Sequence, residues 1–250
     1  MDDGVSRLLN SDQGRLILSH LTIRRWLYLT SFVIGMVLGF PLGGEVIEWL
    51  LESDGYVPDG VQVIILQPME VILLQLRIAV QVSIGLTFTV VMMDMALVGL
   101  RSSSGAVKEA VSKVSASRGF FTFLMVVLLG LLGVAYAHFI LIPFLLEYLA
   151  EDAIGSGLQS TWQLQKWVGF VTGLYFSSFL SFQMPVVVTF LLRAELVDRS
   201  VITENRSIIW FLALFLGALI SPPDPISLFL VGGPMLVLLE LALLMDRVQA

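Results

Sequence analysis

The apolar residues of this chain arrive in long uninterrupted blocks, and that arrangement narrows its possible folds more than any other feature. The blocks cover about 26–44, 68–100, 119–146, 167–192, 207–223 and 225–245. A helix needs about 20 apolar residues, at 1.5 Å each, to cross the ~30 Å hydrocarbon layer of a bilayer. Four of the blocks reach or approach that length, and the last two form a shorter pair around Ser221-Pro222-Pro223-Asp224-Pro225. With 57% hydrophobic and 14% charged residues, the chain holds more apolar surface than one globular core can hide. The expected fold is all-α, a single membrane domain over 1–250 with six transmembrane helices, the last two short.

Cations between the blocks set the expected orientation. Of the 14 Lys and Arg residues, Lys166 alone falls on one side and Arg77 lies within a span; the others flank the opposite side. Positive loops stay inside, so both termini are expected in the cytoplasm, in a cell (plasma) membrane. The first block lacks a small-residue cleavage site and reads as a retained helix. Without cysteine the chain has no disulfides, thiolate catalysis or cysteine-ligated metal. A net charge of −6 argues against a nucleic-acid partner.

Polar residues within the blocks demand explanation, because burying them in hydrocarbon costs free energy. Gln183 lies about 15 Å of helix from Arg193, near mid-membrane, and Pro185 beside it favours a bend. The amide either lines a wet concavity or bonds a neighbouring helix as packing glue. Arg77 and Glu70 share a helix face two turns apart, open to coupling through water or to a snorkelling Arg beside an unrelated Glu. Asp94 reads as an interface marker, and Glu240 as a partner for Arg247 or for an Arg of another helix. Asp224 is expected to shape its proline-rich turn. The tryptophans near span ends fit an interfacial belt. His20 and His138 have no companions at metal-ligand spacing, and no H-E-x-x-H, G-x-S-x-G or phosphate loop occurs. No metal, cofactor or enzymatic activity is expected.

The order of these motifs resembles the TatC family. His20-Leu21-Thr22-Ile23-Arg24-Arg25 is similar to the family's opening H-L-x-E-L-R. Pro68-Met69-Glu70 with Arg77 resembles P-x-E-x-F followed by lysine, and Phe182-Gln183-Met184-Pro185 resembles F-E/Q-x-P. Arg206 stands where an arginine precedes the fifth span; Ser221-Pro222-Pro223-Asp224 is similar to T-P-P-D, and Pro234, Glu240 and Arg247 match the closing pattern. The resemblance implies a receptor and scaffold of twin-arginine translocation. Its expected partners are signal peptides of folded precursors, single-span proteins of the TatA and TatB type, further copies of itself and the lipid, with transport driven by the proton gradient. It implies a signal site at His20, Arg25, Glu109 and Gln183, and structural or partner-binding roles for Pro68, Glu70, Arg77, Phe182, Pro185, Arg206, Pro222, Asp224 and Glu240.

The sequence departs from the family where carboxylates are expected to grip the paired arginines. Ile23 replaces the first, and Glu109 is the one acid in the loop that carries the second. Glu195, Asp198 and Glu204 are the candidate substitutes. The alternatives are a divergent paralogue, or half of a fused double form, that scaffolds without reading the signal, and a small secondary transporter using Arg77, Asp94, Gln183 and Glu240.

Overall fold

A computed structural model describes residues 19–53, 55–57, 61–98, 108–155, 161–193, 199–220 and 225–249. A helical segment over 19–23 reaches a turn at Arg24 and leads into α1, Arg25–Glu52. Then come β1 (Gln62–Ile64), α2 (Glu70–Val98) and α3 (Lys108–Tyr136). A π-helical turn at Ala137–Leu141 joins α3 to α4 (Ile142–Gly155). β2 (Thr161–Gln163), α5 (Leu164–Phe182), α6 (Met184–Arg193), α7 (Arg199–Glu204), α8 (Arg206–Ile220) and α9 (Pro225–Gln249) complete the chain.

Four helical stretches among the described residues are long and apolar enough to cross a membrane: Arg25–Glu52, Glu70–Met95, Phe120–Glu151 and Leu164–Leu192. The first runs well past the block over 26–44, because Glu45, Glu48 and Glu52 are good helix formers and continue it beyond the apolar run. The third likewise ends beyond its block, at Glu151. Only one helix of the final pair is short. α8 has 15 residues, about 22 Å, whereas α9 has 25 residues and outlasts its apolar stretch into the polar tail.

α1 and α2 form the most intimate pair, and small residues explain why. The buried face of α1 is Ser31, Gly35, Gly39, Gly43, Ile47 and Leu50, close to one residue per turn. Its large apolar residues, Val33, Val37, Leu38 and Phe40, point outward. Lipid is as apolar as leucine, so membrane helices associate by backbone proximity at small residues. A Cβ added at Gly35 would stand 2.5 Å from the Ser83 Cα, at Gly39 2.8 Å from the Ala79 Cα, and at Gly43 2.9 Å from the Gln75 Cα. The same device joins α3 to α5, where a Cβ at Gly133 would meet the Ser178 carbonyl oxygen at 2.6 Å.

β1 and β2 pair in parallel, Val63 opposite Trp162. β2 leads directly into α5 and β1 is followed after a short turn by α2, so α2 and α5 start from the same end of the bundle. Beneath the strands lies the main core, including Leu50, Leu74, Leu141, Leu145, Trp167 and Leu174. A smaller cluster of Val188, Ile202, Leu239, Ala242 and Leu243 joins α6, α7 and α9.

Gly39→Leu should force α1 away from α2 and destabilise the protein by about 1–3 kcal/mol, the range for overpacking a close contact. Thermal unfolding in detergent followed by tryptophan fluorescence measures it; an unchanged midpoint would show that the glycine stripe does not set the helix spacing.

Candidate functional site

Two buried carboxylates mark the two ends of α2, and each is satisfied differently. Glu70, the first residue of the helix, is fully buried. Its Oε1 accepts the backbone N–H groups of Leu66 at 3.1 Å and Gln67 at 3.0 Å, and the Gln163 Nε2 at 2.7 Å. Its Oε2 accepts the Gln165 N–H at 3.4 Å. One side chain thus ties the β1–α2 junction to the β2–α5 junction. The positive end of the α2 dipole favours this charge further.

Arg77 takes no part in that knot. It is exposed, and its guanidinium lies over α5, where a Cβ at Gly169 would stand 2.4 Å from its Nη1. Gln81, Gly173, Phe176 and Ser177 share this open cavity of about 310 Å³. The coupling through water considered for Glu70 and Arg77 is replaced by separate environments, since the strand junctions already saturate the carboxylate.

At the far end of α2, Asp94 is buried and its oxygens accept three side chains of the opening segment. Arg24 donates from Nη1 to Oδ1 at 2.6 Å. Tyr28 donates its hydroxyl to Oδ2 at 2.8 Å, and His20 Nε2 lies 2.8 Å from the same oxygen. The sequence reading of Asp94 as a plain interface marker is therefore corrected: it is the anchor of the N-terminal segment. A charged residue near a span end, facing two cations near the start of the preceding span, was the available signal. Which cation it meets depends on the α1–α2 crossing and is not written locally.

Of the residues expected at a signal site, His20 belongs to this cluster, while Arg25 next to it is exposed. Glu109 falls within α3, with its side chain outside the described residues. Gln183 is elsewhere in the bundle. It caps the C-terminus of α5, its N–H bonding the Leu180 carbonyl at 3.0 Å, and Val186 and Val187 donate to its own carbonyl to begin α6. The break falls two residues before Pro185, which lacks the N–H to continue the helix. The Gln183 side chain is fully buried, and its Nε2 donates to the Val126 carbonyl of α3 at 3.1 Å. Of its two readings, this geometry is packing glue rather than the lining of an open concavity. Its Oε1 is buried without a partner among the described residues.

The residues expected to be structural are dispersed. Pro68 is exposed ahead of α2. Phe182 packs against Tyr136, ring centroids 5.8 Å apart. Arg206 donates from Nη2 to Glu240 Oε2 at 2.6 Å, which selects the interhelical partner for Glu240 and ties α8 to α9. Pro222 and Asp224 lie outside the described residues. Sequence reasoning also missed a cluster beneath the strand end. There Tyr56 OH bonds His138 Nδ1 at 2.7 Å and contacts Tyr175 OH, which lies 2.9 Å from the same nitrogen. The π-helical turn that positions His138 has no sequence signature.

The family model described as Sec-independent protein translocase protein (TatC) matches residues 17–234. Among curated relatives, TatCt of Haloferax volcanii is 30% identical over 203 residues, 79% of this chain but 27% of that protein. TatCy of Bacillus subtilis is 29% identical over 121 residues, 48% of either chain. The chain thus spans about half or less of these two relatives. TatC of Listeria innocua is 24% identical over 92% of this chain and 89% of its own length. A crystal structure titled as the twin arginine translocase receptor TatC superposes with a TM-score of 0.72 at 20% identity, covering 93% of this chain and 98% of that one. A second, in DDM, gives 0.70 at 22% identity, with 92% and 98% covered. At these identities the likeness shows the fold alone.

The two buried polar side chains give opposite expectations. Glu70→Ala strands several donors at the strand junctions and should lower the thermal midpoint by several degrees. Gln183→Leu removes an orphaned acceptor and should stay within about 1 kcal/mol of wild type. Parallel melting curves in detergent decide both; a Glu70→Ala midpoint equal to wild type would remove the carboxylate from any structural role.

Proposed function

The chain belongs to the TatC family of Sec-independent protein translocase proteins, and from that premise we propose that it is the receptor and scaffold of a twin-arginine translocase. The observation that carries this reading is continuity: the family match runs from the opening segment into the first part of α9, and it is not confined to one motif. The chain is a helical membrane protein and a translocase component. In the same reading it lies in the cytoplasmic membrane, crosses six times and keeps both termini inside, as its basic loops favour.

In this reading a precursor approaches the end of the bundle that holds Asp94. Its arginines require carboxylates, because charge-assisted guanidinium bonds combine strength with fixed geometry. Its apolar stretch fits the cavity of about 340 Å³ that opens along α6, lined by Met184, Val187, Val188, Leu191 and Ile209. His20, Arg25 and Glu109 remain the candidates around the arginines, and Gln183 supports the lane by setting the α5–α6 break. TatA- and TatB-type partner helices pack against the α8–α9 side, further copies assemble beside them, and the proton gradient drives transport. The protein needs no cofactor of its own for this work.

One observation favours the second reading, a paralogue that scaffolds without reading signals. Ile23, at the position where the family pattern has a glutamate, is 77% exposed and offers no charge. The two readings separate by capture of a precursor. In the receptor reading, the purified full chain retains a precursor bearing paired arginines and loses at least about tenfold in affinity when both become lysines, since Lys cannot reproduce the bidentate fork. Equal retention of the two precursors would overturn the receptor reading and leave the scaffold.

A further inference from the structure

We propose that Asp94 is the carboxylate through which this chain binds a guanidinium of an arriving signal, and that its own Arg24 occupies that carboxylate until exchanged. The proposal rests on the receptor reading above and names its acceptor and its resting state.

The argument begins with where Asp94 stands. It lies near the C-terminal end of α2, where the helix dipole disfavours negative charge, unlike Glu70 at the other end. Among the described residues no backbone N–H is bonded to it; its bonds come from side chains. Two of them, Tyr28 and His20, converge on Oδ2 and hold the carboxylate in place. Among the described residues Oδ1 is left to one cation, Arg24, which reaches it through a single nitrogen. An arginine fork makes two parallel bonds at its best, so this contact is only half of what a guanidinium can form.

The two partners also differ in freedom. The Asp94 side chain is 5% exposed and cannot leave, whereas the Arg24 side chain is 38% exposed and borders solvent. Arg24 itself stands at the turn between the 19–23 segment and α1, with φ −94° and ψ 10°. Its side chain can swing out without unwinding α1. Replacing it by an incoming arginine exchanges one guanidinium for another, so the buried charge is paired both before and after the exchange. The acid that the family pattern places on this segment is absent, because Ile23 stands there. Among the described residues, Asp94 and Glu70 are the only buried acids, and Glu70 is at the opposite end. The chain carries its own Arg24-Arg25 pair beside the acceptor, which makes the first of these arginines an internal stand-in for the signal.

The test uses the full chain in lipid nanodiscs and a fluorescent synthetic signal peptide with paired arginines, compared with the same peptide carrying paired lysines. Arg24→Gln leaves Oδ1 open while Tyr28 and His20 still hold Oδ2, and should tighten binding of the arginine peptide about tenfold, the gain expected when a site nine-tenths self-occupied is freed. Arg24→Lys retains a cation there and should bind like wild type, which a mere loosening of the turn would not explain. Arg24→Gln combined with Asp94→Asn removes both charges together, so the fold is spared an unpaired ion, and it should lose the gain and the preference for arginine. Tryptophan-fluorescence melting confirms that each variant is folded.

An Arg24→Gln protein that binds no tighter than a wild type which does prefer arginine would overturn self-occupancy while sparing the receptor reading. A double variant that keeps the arginine preference would overturn Asp94 as the acceptor. If neither wild type nor Arg24→Gln distinguishes the two peptides, this proposal and the receptor reading fall together.

Discussion

In hydrocarbon a polar group finds no water, so every hydrogen bond it makes must be supplied by the protein. That constraint organises this bundle more than burial of apolar surface does. Helix α2 shows it most clearly. At its first turn Glu70 is saturated by backbone and amide donors from both strand junctions; near its last turn Asp94 is saturated by side chains of the opening segment. The first arrangement agrees with the helix dipole and the second opposes it. One end of α2 is therefore closed by fixed dipoles, and the other by side chains, one of them the cation Arg24.

Close helix approach follows from the same absence of water. With no hydrophobic drive between helices, α1 and α2 hold together through glycine-spaced backbone contact, and hydroxyls supplement it. Ser31 bonds the Tyr28 carbonyl and the Thr87 hydroxyl, while Ser83 returns to the Ala79 carbonyl. These side chains satisfy themselves locally, so the interface tolerates them. The α8–α9 side is built differently. Its two helices are joined to each other by the partly exposed Arg206–Glu240 pair, and α9 is bonded to α3 by the Tyr136 hydroxyl on the Leu230 carbonyl. An exposed pair contributes little, about 0–1 kcal/mol, so this side is the one best able to adjust to neighbouring helices.

Block length made the helices legible in the sequence, because hydrocarbon thickness imposes it from outside. Helix ends were less legible: α1 runs on through Glu45, Glu48 and Glu52, where charge ends the apolar block but not the helix. The pattern Gly35, Gly39, Gly43 was readable as a close-packing stripe and went unused. What could not be read were partners distant in the chain. Asp94 looked like a boundary marker because nothing near it in sequence reveals that His20, Arg24 and Tyr28 converge on it. Gln183 stands out in the sequence as costly to bury, yet whether it faces a groove or a helix depends on Val126, over fifty residues away. Pro185 signalled a bend, and the break came at Gln183 just before it.

These two kinds of polar site do different work. A carboxylate held by backbone N–H groups cannot exchange its partners without unfolding local structure, and so Glu70 can only brace the strand end. A carboxylate held by long side chains at a segment boundary can exchange them, since each donor carries its own rotatable bonds and reaches solvent in part. Asp94 meets that condition through Arg24, while Tyr28 and His20 keep it oriented for whichever cation arrives. The same helix thereby separates rigidity from responsiveness along its length, with support at one end and a replaceable contact at the other. A receptor for a cationic tag needs that division: a frame that does not yield, and one negative charge whose present partner can be displaced by a chemically identical one.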